Sequence, residues 1–123
     1  MSFPQLRPLR VPAGWTIRWN TFFEEELNTP EIAEFSPLGG RDLFFAVRET
    51  SRRAIDVEFY LEQRDPVVGE YRLQVLKFVD DQFANSTPNG VDAILDWDSP
   101  TYTFETSSAI ELARKLDECL SRV

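Results

Sequence analysis

The chain reads as an α+β domain: a single antiparallel sheet of about five or six strands, wound as a meander and packed by one C-terminal helix. Three observations predict it. Residues 54–63 and 70–78 alternate apolar and polar side chains at the two-residue period of a half-buried strand. The stretch Asp65-Pro66-Val67-Val68-Gly69 between them has the length and composition of a hairpin turn. From Ser108 the apolar period changes to that of a helix. At 123 residues, 42% of them apolar, the chain has the length of one domain, 1–123, and enough material for one core.

Residues 1–13 form an extended arm, because Pro4, Pro8 and Pro12 deny both a helix and a continuous strand ladder. From Gly14 the pattern is β. Trp15, Ile17, Trp19 and Thr21 fall on one face, with Thr16, Arg18 and Asn20 on the other. Residues 24–35 read as a loop with one or two helical turns, Thr29 capping them and Pro30 at the first helical position. Pro37 and Gly39-Gly40 end that segment.

Three strands follow at close spacing. Residues 42–49 contain the run Leu43-Phe44-Phe45-Ala46-Val47, and Thr50-Ser51-Arg52-Arg53 makes a tight connection. In 54–63, Ile55, Val57, Phe59 and Leu61 point inward, leaving Asp56, Glu58, Tyr60 and Glu62 on a wet face. In 70–78, Tyr71, Leu73 and Val75 point inward, with Arg72, Gln74 and Lys77 toward the outside or the rim. Residues 80–90 are polar and rich in turn formers, an exposed loop. Residues 91–97 and 102–105 read as two short strands about the turn Asp98-Ser99-Pro100.

Ser108 and Glu111 have the spacing of a capping box, in which each side chain satisfies an unpaired backbone N–H at the helix start. Ala109, Leu112, Ala113, Leu116, Cys119, Leu120 and Val123 make one apolar stripe, opposite Glu111, Arg114, Lys115, Asp117 and Glu118. The sheet is the one large apolar surface on which that stripe can be buried.

The residue types limit the chemistry. The chain has no His, which removes the commonest general base and metal ligand and every Ser-His or Cys-His nucleophilic pair. Cys119 is the single cysteine, on the apolar stripe near a helix C-terminus, where the macrodipole raises a thiol pKa; it reads as a buried structural thiol. Gly39-Gly40-Arg41 is too short for a phosphate loop and lacks its Lys-Ser/Thr. Carboxylates are the remaining catalytic material: Asp56, Glu58 and Glu62 on one strand face, Asp80-Asp81, and Asp92, Asp96 and Asp98. No stretch has calcium-loop spacing, and acids alternating with apolar residues are also what a solvated sheet face looks like. Accordingly no catalytic residue, metal ligand or cofactor is assigned. Trp15, Trp19, Trp97, Phe22-Phe23 and Tyr102 are assigned to the core, with the lining of a ligand pocket as the alternative. Tyr60 stands apart, as an aromatic ring among acids of the kind that anchors a protein–protein contact.

Net charge sets the partner class. With 21 acidic against 13 basic residues the chain carries −8, a field that opposes binding to a phosphate backbone and favours encounter with a basic protein. The expected partner is another protein, neither nucleic acid nor membrane. Partner contact is assigned to Glu24, Glu25, Glu26, Glu31, Glu34 and Tyr60. A small-molecule binder or carboxylate-dependent enzyme with its pocket on the sheet is the alternative, and a homodimer a third. The lone cysteine, the absence of a secretory h-region at the start and the lack of an apolar stretch of about 20 residues fit a cytoplasmic protein.

In layout the chain resembles the small acidic immunity proteins of bacterial toxin systems, and similar uncharacterised bacterial domain families. The likeness rests on the opening Gly14-Trp15-Thr16-Ile17-Arg18-Trp19 strand, the meander, and the Phe104-Glu105-Thr106 strand leading into the terminal helix. What the resemblance implies is a binding role: blocking a toxin, often a basic nuclease, with an acidic surface.

Overall fold

β-branched and aromatic residues in alternation build four of the five strands, and the computed structural model places them in one sheet. It describes residues 5–22, 27, 41–62, 68–79 and 95–123. The strands are β1 (Trp15–Asn20), β2 (Arg41–Arg48), β3 (Arg53–Glu62), β4 (Val68–Lys77) and β5 (Tyr102–Thr106), followed by the helix α1 (Ala109–Arg122). The sheet order is β1-β2-β3-β4-β5 and every neighbouring pair is antiparallel, so the meander backed by a C-terminal helix is the fold. The second strand of the predicted final hairpin is β5. Its predicted partner, 91–97, is not a strand where it is described: Leu95 makes one isolated bridge to Phe78, and the next residues turn. Residues 91–94 lie outside the described ones.

The sheet divides the side chains between two faces. Toward α1 point Ala46, Ile55, Val57, Phe59, Tyr71, Leu73 and Val75, packed on Ala109, Leu112, Leu116, Cys119 and Leu120 of the helix stripe. The inward assignments on β3 and β4 therefore hold. The Tyr71 ring lies 4.8 Å from that of Phe59 and 6.4 Å from that of Phe22. Its hydroxyl accepts the backbone N–H of Leu27 at 2.9 Å, giving a buried phenol the polar partner it requires. Arm residues Leu9 and Val11 pack against the same core, and the N–H of Arg10 donates to the Asp117 carboxylate at 2.8 Å. The arm is thus tied to the helix.

The helix start is built differently from a reciprocal capping box. Ser108 Oγ accepts the N–H of Glu111 at 3.3 Å, as expected. The Glu111 carboxylate instead accepts the hydroxyl of Thr106 at 2.7 Å, and Thr106 Oγ1 accepts the Ser108 N–H at 3.1 Å. The buried Thr106 relays the cap, because the strand ends two residues before the helix and brings its hydroxyl between the two groups.

A second, smaller cluster lies on the opposite face: Val47, Ala54, Leu76 and Leu95, with Phe45 and Phe78 against it. The run Leu43–Val47 is apolar throughout because β2 buries both of its faces, Phe44 and Ala46 toward the helix and Val47 away from it.

Candidate functional site

Antiparallel register sets side chains of neighbouring strands side by side, and on the face away from α1 it produces two adjacent rows. One row runs Trp19–Phe45–Asp56–Gln74–Thr103 across β1 to β5. The next runs Asp42–Glu58–Arg72–Glu105 across β2 to β5, and Tyr60 and Glu70 pair just beyond it. The first row carries Trp19 and Phe45 beside Asp56, and every member of the second is charged.

Trp19 reaches this face through a register shift between Ile17 and Trp19. Strict alternation places Trp15, Ile17 and Trp19 together. The bulge inserts an extra residue and re-aims Trp19 to the other side. Trp15 packs against the helix-side core, its indole N–H donating to the Leu120 carbonyl at 2.9 Å. Trp19 is 52% exposed, its indole N–H donating to the Asp42 carbonyl at 3.1 Å. Trp97, 42% exposed, arrives from the turn before β5 and stacks on Phe45 with ring centres 6.3 Å apart and planes 18° from parallel. The Asp96 N–H donates to the Lys77 carbonyl, and the Asp96 carboxylate accepts the Ser99 N–H, which holds that turn on the sheet. The core assignment therefore fails for Trp19, Trp97 and Tyr102, all exposed, and holds for Phe22. Phe23 lies outside the described residues.

Tyr60 is the one predicted contact residue among those described. It is half-buried, with its hydroxyl on the Glu105 carboxylate at 3.2 Å and the Arg72 guanidinium over its ring at 5.3 Å. Arg72 also pairs with Glu58. Tyr60 is thus held upright among carboxylates: Asp42 and Glu105 exposed, Glu58 and Glu70 half-buried. Glu24, Glu25, Glu26, Glu31 and Glu34 lie outside the described residues, and the helical turns expected there lie outside them too. Asp56, read as part of the wet face, is only 9% exposed in the aromatic row, between Phe45 and Gln74.

One group of cations lies elsewhere. Arg48, Arg53 and Lys77 share one cross-strand row at the far end of the strands, on the helix side. Like charges placed directly opposite repel. Carbonyls offset the repulsion: Arg48 donates to Val123 O at 2.9 Å, and Arg53 to the Ser51 and Arg52 carbonyls. Beside that row a shallow cleft of about 400 Å³ is lined by Arg53, Tyr102, Lys115, Glu118, Cys119 and Arg122, among others. Lys115 lies over the rings of Phe104 and Tyr102 and pairs with Glu118; the hydrogen bond to Tyr102 and then that to Glu118 raise its pKa. Burial pushes the Cys119 thiol pKa up, leaving it protonated at neutral pH.

Among the described residues no group of three His, Cys, Asp or Glu side chains is placed to hold a metal ion, and no helix is long and apolar enough to cross a membrane. Sequence reasoning missed the aromatic row. A signal for Phe45 was present, since an unbroken apolar run in β2 implies two buried faces. For Trp19 there was none, because a bulge leaves no mark on the alternation. Comparison of the chain with known protein families, curated proteins and solved structures finds no match.

Proposed function

We propose that the chain is a protein-binding module, of inhibitor or adaptor type, that engages a basic partner through the acidic row on the sheet face away from the helix. The observation that carries this reading is the composition of that row. Among the described residues, the register on this face sets Asp42, Glu58, Glu70 and Glu105 about Tyr60 with one cation in the row, Arg72, which pairs with Glu58. The basic residues Arg48, Arg53 and Lys77 lie at the other end of the strands on the other face. A negative total charge alone keeps a protein soluble and needs no such segregation. Separation of the two signs gives a partner an orientation as well as an attraction, and complementary charge acts mainly on association rate and partner choice.

The test is a ¹⁵N NMR titration with two twelve-residue peptides, alternating Lys/Thr and alternating Glu/Thr. The Lys/Thr peptide is expected to shift the amide signals of Tyr60, Arg72 and Glu105, with the affinity falling as salt rises. Equal shifts from both peptides, or shifts confined to other surfaces, would contradict the reading.

A further inference from the structure

The two rows on the face away from α1 are neighbours, and together they specify a shape as well as a charge. Residues two apart on a strand lie about 6–7 Å apart along it. The aromatic row Trp19–Phe45 and the acidic row Asp42–Glu58–Arg72–Glu105 are therefore separated by about that distance. A helix with its side chains is about 10–12 Å across. One helix lying across the strands covers both rows at once, an apolar stripe on one and an adjacent flank on the other.

From this juxtaposition we propose that the face away from α1 binds an amphipathic helix with a basic flank, its apolar stripe on Trp19, Phe45 and Trp97 and its Lys or Arg side chains on Asp42 and Glu105. The proposal rests on the reading of the acidic row as a contact surface and adds the form of the partner. Exposure supports it. Trp15 is half-buried against the helix-side core, whereas Trp19 is 52% and Trp97 42% exposed, although each is fixed in place, by a hydrogen bond to the Asp42 carbonyl and by the stack on Phe45. Fixed aromatic side chains with accessible surface lose little rotamer freedom on binding and suit the role of anchors. Charge selects the occupant. A second copy of this chain laid on the same face would set its own acidic row near Asp42 and Glu105, whereas a basic flank pairs with them. Cations near the exposed indoles gain further from the ring faces. In the bound state the sheet carries a helix on each face.

The experiment titrates the ¹⁵N-labelled protein with an eighteen-residue Leu/Lys peptide of helical amphipathic spacing, and separately with a Leu/Glu peptide of the same spacing and the Lys/Thr peptide used above. The indole N–H signals give the readout, and Trp15, on the other face, is the internal reference. The expected result is saturable one-to-one binding of the Leu/Lys peptide that moves the Trp19 and Trp97 indole signals and leaves that of Trp15 in place. The Leu/Glu peptide should leave all three unmoved. Trp19→Ser is expected to weaken Leu/Lys binding about tenfold. Trp97→Phe, which keeps a ring on Phe45, gives a second variant should the first perturb the sheet edge, and is expected to weaken binding about threefold. The inference is overturned if the Leu/Lys peptide shifts Trp15 or α1 instead, or if the Leu/Glu peptide binds equally well. If the Lys/Thr peptide binds at Glu105 while the Leu/Lys peptide leaves Trp19 and Trp97 unmoved, the helical partner is wrong and the acidic surface stands. If neither peptide binds, both readings fall.

Discussion

Arg52 closes the β2–β3 hairpin with a backbone φ of 55°, in the left-handed region that favours glycine. Its N–H completes the turn to the Glu49 carbonyl at 3.1 Å, and its guanidinium lies over the Phe78 ring at 5.1 Å. Strain and stacking therefore oppose each other at one residue. Left-handed backbone costs an L-residue about 1–2 kcal/mol, and a cation over an exposed ring contributes about 0.5–1. Arg52→Gly relieves the first and loses the second; Arg52→Ala loses the second and keeps the first. The glycine variant should exceed the alanine variant in stability by about 1 kcal/mol in urea unfolding, and the opposite order would contradict the account. Cys119 makes a different residue-scale statement. Its folded pKa is raised above the ordinary thiol value, chiefly because burial disfavours the thiolate. The stability linked to its protonated form is therefore complete below the unfolded pKa and declines as pH rises through the folded one. A disulfide-exchange reagent at pH 7.5 should react slowly with the native thiol and rapidly after unfolding. Rapid reaction in the native state would refute burial of the thiol.

At the scale of elements, the strand-to-helix joint is the most specific construction in the fold. Thr106 is 8% exposed and serves as acceptor to Ser108 and donor to Glu111. Thr106→Val keeps the shape and strands the Ser108 N–H, an expected loss of about 1–2 kcal/mol. Thr103→Val, on the exposed part of the same strand, should change stability by less than about 0.5 kcal/mol. Comparable losses for the two would show that the relay contributes nothing. The stripe of α1 was legible because Leu112, Leu116 and Leu120 recur at helical spacing, and β3 and β4 because Ile55-Val57-Phe59 and Tyr71-Leu73-Val75 alternate. The relay was not: Ser108 and Glu111 matched a local pattern, and the group that redirected it belongs to the preceding strand. Trp19 escaped for a related reason. Alternation assumes an unbroken pleat, and the bulge after Ile17 is a tertiary adjustment of an edge strand to its neighbour.

Over the whole molecule, one face of the sheet is closed by a helix and the other is divided between a small apolar cluster, an aromatic row and an acidic row. Of the proposed contact surface, composition foretold the sign of the charge and Tyr60 its neighbourhood. The row itself needs the register Asp42–Glu58–Arg72–Glu105, which joins residues from four strands that no local pattern connects. Position then becomes testable apart from total charge. Glu105→Lys and Glu49→Lys alter the net charge equally, one within the acidic row and one in the β2–β3 turn. The most direct measurement compares the affinity of both variants for the Lys/Thr peptide at about 0.15 M salt, where screening acts over about 8 Å. Glu105→Lys is predicted to weaken binding about tenfold and Glu49→Lys less than twofold; equal weakening by the two would mean that total charge, and not this face of the sheet, attracts the partner.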